Sequence, residues 1–391
     1  MNYEDEFTWL KSLNCGGSNE LFARIQSQLK RVVRKDVVHG GLNSSAHIYT
    51  LDLENSVAGR ETLSVFVKRP NYDNDSAMRV AQLQRWYERE VKIYQIIIPA
   101  LRARECASEN SIRVPQCYFA SYNDRTNDFV LILENLLDKQ DRFFTVDSVR
   151  GMTHSQAVAC VRTIARFHKS CLDLQDQFSF LPLMPVHVEY APLIARSLSS
   201  YWAEVKKSYS FVLDRYKSGG IYELSEKISD VYEQYTLELS KSPRTVLHGD
   251  YRVGNIMFES NKDDITIFDW QFACRGPGVY DLVYIICFDL SIEDRRKYEA
   301  NLMQEYFDCL LGGTSDKFNM SKDEFIDDSK KALVLIYASL IIGAATSGKS
   351  GIETHTLALD RFAAAIIDWG ITIDAPHDRD DSHDAGNQAQ L

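Results

Sequence analysis

The sequence predicts an α+β protein with two lobes, a small β-rich N-terminal lobe and a large, mainly helical C-terminal lobe. The first observation is a set of short runs with the apolar alternation or clustering of strands, at 46–53, 63–68, 114–122 and 129–134. The second is the series of helical patterns that follows residue 153. The third is the length of 391 residues, which is enough to bury a large core and to form two lobes or domains.

The composition is that of an ordinary globular protein, with 45% hydrophobic and 25% charged residues. The formal charge of −11 argues against nucleic acid or an anionic membrane as a partner. The N-terminus is acidic and has no signal-peptide core, and the longest apolar run, 332–345, is too short to cross a bilayer. The eight cysteines form no C-x-x-C pair. We therefore expect a cytoplasmic protein that binds neither nucleic acid nor a membrane; the oligomeric state stays open.

A pair of glycines with small polar neighbours stands between two predicted strands, after a helical segment over residues 1–30. The candidate positions in this segment are Gly40, Gly41, Asn43, Ser44 and Ser45. Backbone N–H groups in such a segment can approach phosphate oxygens. Most glycine pairs are ordinary turns, and the sequence is not a Walker A motif, so the pattern alone is weak evidence of a phosphate-binding loop.

Lys68 ends a predicted strand and is followed by a predicted helix from about 76 to 98, which we expect Pro99 to close. The apolar stripe of that helix comprises Leu83, Tyr87, Glu90, Tyr94 and Ile97. A carboxylate within an apolar stripe needs a partner. Lys68 is the natural partner of Glu90, with Glu88 as the alternative carboxylate. Such a strand-lysine and helix-glutamate pair is how kinases hold the lysine against the α- and β-phosphates.

The stretch 245–281 carries the strongest chemical signal in the chain. A short apolar run ends on His248-Gly249-Asp250, and five positions later Asn255 starts a second apolar run. A polar turn then returns the chain into a third run, which stops at Asp269. The last two runs predict a hairpin, with Asn255 roughly opposite Asp269. The preceding loop brings Asp250 to the same end of this hairpin.

Three oxygen-bearing side chains at one end of a hairpin predict a site for a hard divalent cation. Mg²⁺ prefers such a sparse oxygen set, completed by water and phosphates. A single aspartate at a strand end is usually a cap or a turn residue, but the convergence of three residues favours a site. The order H-G-D-x-x-x-x-N…D also matches the phosphoryl-transfer arrangement, with Asp250 as the base and Asn255 and Asp269 on the metal.

This stretch resembles the aminoglycoside phosphotransferase and choline kinase-like family of small-molecule kinases, and most closely its ecdysteroid kinase-like branch. The closest resemblance lies in Asp269-Trp270-Gln271 and in Arg275-Gly276-Pro277-Gly278 followed by Asp281-Leu282. The resemblance implies a protein kinase-like fold that holds ATP (or GTP) and Mg²⁺ between its lobes. It also implies a hydroxylated small molecule as the phosphoryl acceptor.

The resemblance assigns roles to residues that the patterns alone leave open. It implies that the segment from Gly40 to Ser45 is a nucleotide loop, and that backbone groups from Glu134 to Leu136 meet the adenine ring at the hinge between the lobes. We accordingly expect an N-terminal lobe over 1–136 and a helical lobe with the catalytic loop and acceptor pocket over 137–374. A disordered acidic tail is expected over 375–391.

Four further residues are expected to support the catalytic loop rather than to react. His168, on a helix that begins with a predicted capping box at Thr153, is expected to be a hydrogen-bonded structural residue. His248 is expected to support the loop, and Asp281 to brace it by hydrogen bonds. Arg252 lies within the loop and is expected to face solvent, with contact to the γ-phosphate or the acceptor as the alternative.

Two other functions are alternatives to a small-molecule kinase. A protein kinase is disfavoured because so few residues separate Asp269 from Asp281 that no ordinary activation segment fits. A non-catalytic nucleotide-binding scaffold is not favoured by any residue, since Lys68, Asp250 and Asn255 are all present. The acceptor stays open among ecdysteroid or sterol-like, amino-alcohol and aminoglycoside-like molecules.

Overall fold

The computed structural model describes most of the chain. The described residues are 3–15, 19–38, 44–55, 59–104, 112–172, 178–182, 191–260, 264–311, 320–347 and 351–373. Three positions of the predicted nucleotide loop, Gly40, Gly41 and Asn43, lie outside the described residues. The predicted acidic tail over 375–391 lies outside them as well.

Among the described residues, five strands form an antiparallel sheet in the N-terminal lobe, in the order β1-β2-β3-β5-β4. The strands are β1 (Leu29–Val38), β2 (Ser44–Asn55), β3 (Gly59–Pro70), β4 (Cys117–Asn123) and β5 (Asp128–Glu134). Side chains alternate between the faces of β3, so Val65 and Val67 belong to one buried cluster together with Phe22. Lys68 consequently projects from the opposite face of β3.

The helices of the N-terminal lobe cover both faces of this sheet. They are α1 (Tyr3–Ser12), α2 (Glu20–Gln28), α3 (Asp75–Leu83), α4 (Trp86–Lys92) and α5 (Ile98–Arg104). Helix α1 packs on β1, and α2 packs on β2 and β4. Helix α4 packs against β4 and β5 on the face that carries Lys68. The sheet is thus placed between the N-terminal helices and α4.

The single helix predicted over 76–98 is wrong in two details. The helix is interrupted between α3 and α4 at Arg85, which has a φ of 55°. Leu83 is consequently 71% exposed and is not part of the buried stripe. Pro99 does not close the helix. A π-helical turn, Ile93–Ile97, leads directly into α5, and Pro99 is the second residue of α5.

Helices make up most of the C-terminal lobe. They are α6 (His154–Cys171), α7 (Ala191–Ser208), α8 (Ser210–Leu213), α9 (Ile221–Leu239), α10 (Val279–Asp289), α11 (Ile292–Leu311), α12 (Lys322–Thr346) and α13 (Ile352–Asp368). Helix α6 begins with the predicted capping box, because Thr153 and Gln156 exchange side-chain to backbone hydrogen bonds. The predicted α+β architecture, with a β-rich N-terminal lobe and a mainly helical remainder, is confirmed.

Helix α12 contains the apolar run 332–345 and is longer than that run. Among the described residues it is the helix that length and composition alone would allow to cross a membrane. However, 61% of its most apolar window is buried inside the protein. It packs against α7, α9, α10 and α13, as a core helix does.

Short strands interrupt the helical lobe and shape the stretch 245–281. They are β6 (Phe143–Phe144), β7 (Thr245–Leu247), β8 (Ile256–Glu259), β9 (Ile265–Ile267) and β10 (Cys274–Gly276). The predicted hairpin is present as β8 and β9, with Ile256 paired to Ile267. This register places Asn255 opposite Phe268, one residue from the predicted pairing with Asp269. The lobe boundary predicted at 136 stays a prediction.

Candidate active site

Lys68 is held between carboxylates from two distant parts of the chain. Its Nζ donates hydrogen bonds to Glu90 Oε2 at 2.7 Å and Oε1 at 2.9 Å. The same nitrogen donates to Asp269 Oδ1 at 2.8 Å. The predicted Lys68–Glu90 pair is therefore present. The alternative carboxylate, Glu88, forms ion pairs with Arg85 and Lys92 instead.

Burial and charge act in opposite directions on this group of three. Burial disfavours the charged form of Lys68, but Asp269 and Glu90 outweigh it and raise the pKa of the ammonium above its ordinary value. Burial would raise the pKa of Asp269, and Lys68 outweighs it and lowers that pKa. Burial raises the pKa of Glu90, although Lys68 works against this. Lys68 is thus a charged lysine in a site with little water.

An unusual backbone conformation directs Asp269 toward Lys68. Asp269 has a φ of 62° and a ψ of 64°, in the left-handed region that few non-glycine residues adopt. It leaves β9 and enters a 3₁₀ turn, Trp270–Phe272. Phe272 packs against Trp86 at the start of α4, with ring centroids 4.7 Å apart. The turn therefore connects the carboxylate to the helix that carries Glu90.

Asp250 and Asn255 lie side by side at the end of the hairpin. Asn255 donates its Nδ2 to the Asp250 carbonyl and to Asp250 Oδ2, both at 2.8 Å. The Asn255 carbonyl accepts the N–H of Phe268 at 3.1 Å, so the residue before Asp269 is tied to the loop. Gly249 has a φ of 84°, and a Cβ there would lie 2.3 Å from the Phe272 carbonyl oxygen. The loop needs glycine at this position.

The catalytic loop is braced as the sequence predicted. The buried Asp281 carboxylate on α10 accepts the backbone N–H of His248 at 2.6 Å and of Gly249 at 2.9 Å. His168 bonds the same carboxylate through Nε2 at 3.1 Å, and its Nδ1 lies 2.6 Å from the Tyr306 hydroxyl. His168 is therefore a structural residue. The ring of His248 supports the loop through the Phe268 carbonyl, 2.9 Å from Nε2.

The donor set at this end of the hairpin fits Mg²⁺. Because Nδ2 of Asn255 is engaged with Asp250, its Oδ1 is the atom available to a cation. Asp269 supplies a carboxylate, one oxygen of which is bonded to Lys68. In the part of the chain that the structure describes, no group of three or more His, Cys, Asp and Glu side chains forms a metal cluster. Asn255 and Asp269 would thus provide the incomplete oxygen set that Mg²⁺ completes with phosphates and water.

The roles of the other predicted nucleotide contacts stay predictions. Ser44 is buried and Ser45 half-buried at the start of β2. The Oγ of Ser45 donates to the Pro70 carbonyl at 3.3 Å. The Glu134 carboxylate accepts the Gln116 N–H at 3.1 Å and pairs with Lys139. The Leu136 side chain is buried, and its carbonyl accepts the Lys139 N–H at 3.2 Å.

The expectation that Arg252 faces solvent is wrong. Its Nε donates to Asp250 Oδ1 at 3.2 Å and Oδ2 at 3.3 Å, and its guanidinium lies over the Phe288 ring. Tyr284 is a further neighbour of the Asp250 carboxylate. Sequence reasoning missed Tyr284 and Asp289, a buried residue whose carboxylate accepts the Val253 N–H at 2.8 Å. The signal for Asp289 was an aspartate at the end of a largely apolar helix.

A lysine between two carboxylates and a loop aspartate beside an asparagine is the arrangement typical of a phosphotransferase of the kinase type. Residues 42–318, most of the chain, match the model of the ecdysteroid kinase-like family. The chain belongs to the ecdysteroid kinase-like family. The predicted protein kinase-like fold and the class of small-molecule kinase are thereby confirmed, and ATP is the phosphoryl donor that membership implies.

Comparison with individual proteins adds more distant similarities. An uncharacterized kinase-like protein of Caenorhabditis elegans is 22% identical over 174 residues, which cover 44% of this chain and 45% of the worm protein. The chain thus matches less than half the length of that relative. An amicoumacin kinase solved with AMP-PNP and Ca²⁺ aligns with a TM-score of 0.47 at 11% identity, covering 93% of this chain and 96% of that one. A choline kinase from Cryptosporidium parvum Iowa II aligns with a TM-score of 0.47 at 14% identity, covering 94% of both chains.

Proposed function

We propose that this protein transfers the γ-phosphoryl group of Mg²⁺·ATP to a hydroxyl group of a small molecule. In this proposal Lys68 holds the α- and β-phosphates, and Glu90 holds Lys68. Asn255 and Asp269 hold the metal. Asp250 orients the acceptor hydroxyl and receives its proton.

The observation that carries the proposal is the pair of contacts that Lys68 makes at once. Glu90 is 22 positions from Lys68 in sequence and Asp269 is 201 positions away, yet both carboxylates lie within 2.9 Å of Nζ. A buried lysine that needed only neutralisation would be satisfied by one carboxylate. With two carboxylates around its ammonium group, Lys68 can give up one of them to bind phosphate oxygens and keep the other. Lys68 can then stay with Glu90 while Asp269 turns to the metal.

The contacts of Asp250 support its role as the base. Hydrogen bonds from Asn255 and Arg252 fix its carboxylate in the loop. The side chain is still 15% exposed, so an acceptor hydroxyl can reach it. When bound, Mg²⁺ would neutralise negative charge on the phosphates. Most of the rate enhancement would then come from positioning and charge stabilisation by the protein.

The acceptor is proposed at the level of chemical class. The family name makes an ecdysteroid, a polyhydroxylated sterol-like molecule, the first acceptor to test; amino-alcohol and aminoglycoside-like molecules come next. We also propose a cytoplasmic location. This is supported by the described cysteines, which are all free thiols and mostly buried, as expected in a reducing compartment.

The test is Mg²⁺-dependent production of ADP from ATP in the presence of these acceptors, one class at a time. We expect one class to raise ADP production above the background of Asp250→Asn. That variant should lose about 100-fold or more in kcat, because it removes a general base. Its affinity for Mg²⁺·ATP should stay within about threefold of the wild type, because Asp250 is not a proposed metal ligand.

The matched control is Asp230→Asn, the same substitution at an exposed position of α9. It should leave acceptor-dependent turnover unchanged. Wild-type protein that binds Mg²⁺·ATP but turns over no acceptor would favour a non-catalytic scaffold. Failure to bind nucleotide at all would contradict the proposal.

A further inference from the structure

Two aspartates of α10 hold opposite ends of the catalytic loop. Asp281 accepts the N–H groups of His248 and Gly249 at the start of the loop. About two turns later on the same helix, Asp289 Oδ2 accepts the N–H of Val253 at 2.8 Å. Both carboxylates are completely buried. They differ in their second oxygen, because Asp289 Oδ1 has no hydrogen-bond partner among the described residues.

A buried carboxylate with an unpartnered oxygen is costly unless a cation lies nearby. The charged groups that face Asp289 are Arg252 from the loop, Arg361 from α13 and Asp250, with the uncharged thiol of Cys160 on α6 as a further neighbour. Burial raises the pKa of Asp289 to about 7, while the Val253 N–H, Arg252 and Arg361 act to lower it and Asp250 acts to raise it. The carboxyl group is thus close to its ionisation at neutral pH.

Of the two arginines near Asp289, only Arg252 is able to respond to its charge. Arg361 is buried and donates to the backbone carbonyls of Ser148, Val149 and Phe288. Arg252 is half-buried, and its guanidinium lies over the ring of Phe288. Glycine at position 254 leaves room for that guanidinium, because a Cβ there would lie 2.4 Å from Arg252 Nη1.

Arg252 in turn limits what Asp250 can accept. A carboxylate has about four positions for hydrogen-bond donors. Arg252 Nε approaches both oxygens of Asp250, and Asn255 Nδ2 approaches Oδ2. An acceptor hydroxyl must therefore share the Asp250 carboxylate with Arg252.

We propose that Asp289 is a positioning residue for the transfer reaction, whose buried charge competes with Asp250 for Arg252 and so keeps Asp250 accessible to the acceptor hydroxyl. This inference rests on the proposed function, because it assigns Asp250 as the base. It adds the Asp289 carboxylate, which lies outside the proposed metal and phosphate contacts and affects turnover through Arg252.

The test is a double-mutant cycle of Asp289→Asn and Arg252→Gln. Asparagine at 289 still accepts the Val253 N–H but carries no charge, so Arg252 should be drawn more strongly to Asp250. We expect kcat to fall by about tenfold, with KM for ATP within twofold of the wild type, because small displacements of a reacting group have large effects on rate. In the Arg252→Gln background the same substitution should change kcat by less than twofold.

Thermal unfolding of the same four proteins, without nucleotide or acceptor, measures the coupling independently of turnover. At pH 8, where Asp289 is ionised, the double variant should depart from the sum of the single Tm shifts by about 2 °C. At pH 5, where Asp289 is protonated, the shifts should add.

Asp328→Asn is the matched control, because Asp328 on α12 is also buried and has an unpartnered Oδ2. It should leave kcat within twofold of the wild type. Equal loss of kcat from Asp289→Asn in both backgrounds, no loss in either, or additive Tm shifts at pH 8 would overturn the positioning role. A different outcome would be a wild type without turnover whose Tm shifts are still coupled at pH 8. That result would contradict the proposed function and the positioning role with it. It would leave the Arg252–Asp289 interaction intact.

Discussion

Replacing Lys68 with methionine gives the sharpest test of the contacts that organise the site. The substitution keeps an unbranched chain of similar length and removes the charge that lies 2.7 Å from Glu90 Oε2 and 2.8 Å from Asp269 Oδ1. Asp269 can turn toward water, because 30% of its side chain is exposed. Glu90 is 1% exposed and cannot. The loss of stability should therefore come mainly from Glu90.

The expected size follows from the cost of an uncompensated buried charge. Breaking a buried pair by removing one partner costs about 3–5 kcal/mol, so we expect Lys68→Met to lower the free energy of unfolding by about that amount at pH 8. Glu90 already has a pKa raised by burial, and the variant loses Lys68, which lowers it. Because this folded-state pKa lies above the unfolded value of about 4.3, stability is lost as the pH rises toward it. The deficit should be smaller at pH 5.5 than at pH 8.

The measurement is urea unfolding of the wild type, Lys68→Met and the double variant Lys68→Met/Glu90→Leu, at both pH values. Replacing a buried ion pair by apolar side chains is often nearly neutral, so the double variant should recover at least about 2 kcal/mol, and its deficit relative to the wild type should no longer grow between pH 5.5 and pH 8. A deficit below about 1 kcal/mol for Lys68→Met would refute the reasoning. A double variant no more stable than the single one would do the same.

Three further predictions concern the metal, the packing beneath the loop and the buried aspartate. Asp269→Ala should weaken binding of Mg²⁺·ATP by about tenfold or more in titration calorimetry and change metal-free ATP binding much less; equal affinity for Mg²⁺·ATP would exclude Asp269 as a ligand. Gly278→Ala should lower stability by about 1–3 kcal/mol, because a Cβ would lie 2.0 Å from the Tyr306 hydroxyl. Gly343→Ala in α12, where the nearest atom to a Cβ would be His355 Nε2 at 3.0 Å, should cost less in the same unfolding assay. Asp289 has a pKa of about 7 in the folded protein, against about 3.9 in the unfolded chain. Wild-type stability should therefore fall as the pH rises between these two values. The Tm difference between Asp289→Asn and the wild type should accordingly favour the variant more at pH 8 than at pH 5. An equal difference at both pH values would contradict this ionisation.

The Lys68–Glu90 contact was predictable because local patterns encode each half of it. Period-two alternation assigned Lys68 to a strand, and helical spacing placed Glu90 within an apolar stripe. The need to neutralise a buried carboxylate then joined the two. The same patterns failed at Leu83 and Pro99, since a left-handed residue at Arg85 and a π-helical turn change the direction of the chain without altering its apolar spacing.

In the catalytic loop, the sequence predicted the residues but not all of their contacts. Composition and spacing identified Asp250, Asn255 and Asp269 and the hairpin that gathers them, because turn residues and β runs act over a few positions. The contacts of Arg252 could not be predicted in this way. They depend on Phe288, Asp289 and Tyr284, which α10 brings beneath the loop.

The sequence by itself determined the lobes, the hairpin and the residue types that phosphoryl transfer requires, because these depend on local periodicity and on chemistry that few side chains can perform. Only the tertiary structure decided that Lys68 meets Asp269 across 201 positions, that Arg252 turns back onto Asp250, and that Asp289 lies buried beside it. The physical reason is that electrostatic contacts in a buried site depend on distances of a few ångströms, and the packing of α4 and α10 against the hairpin sets those distances.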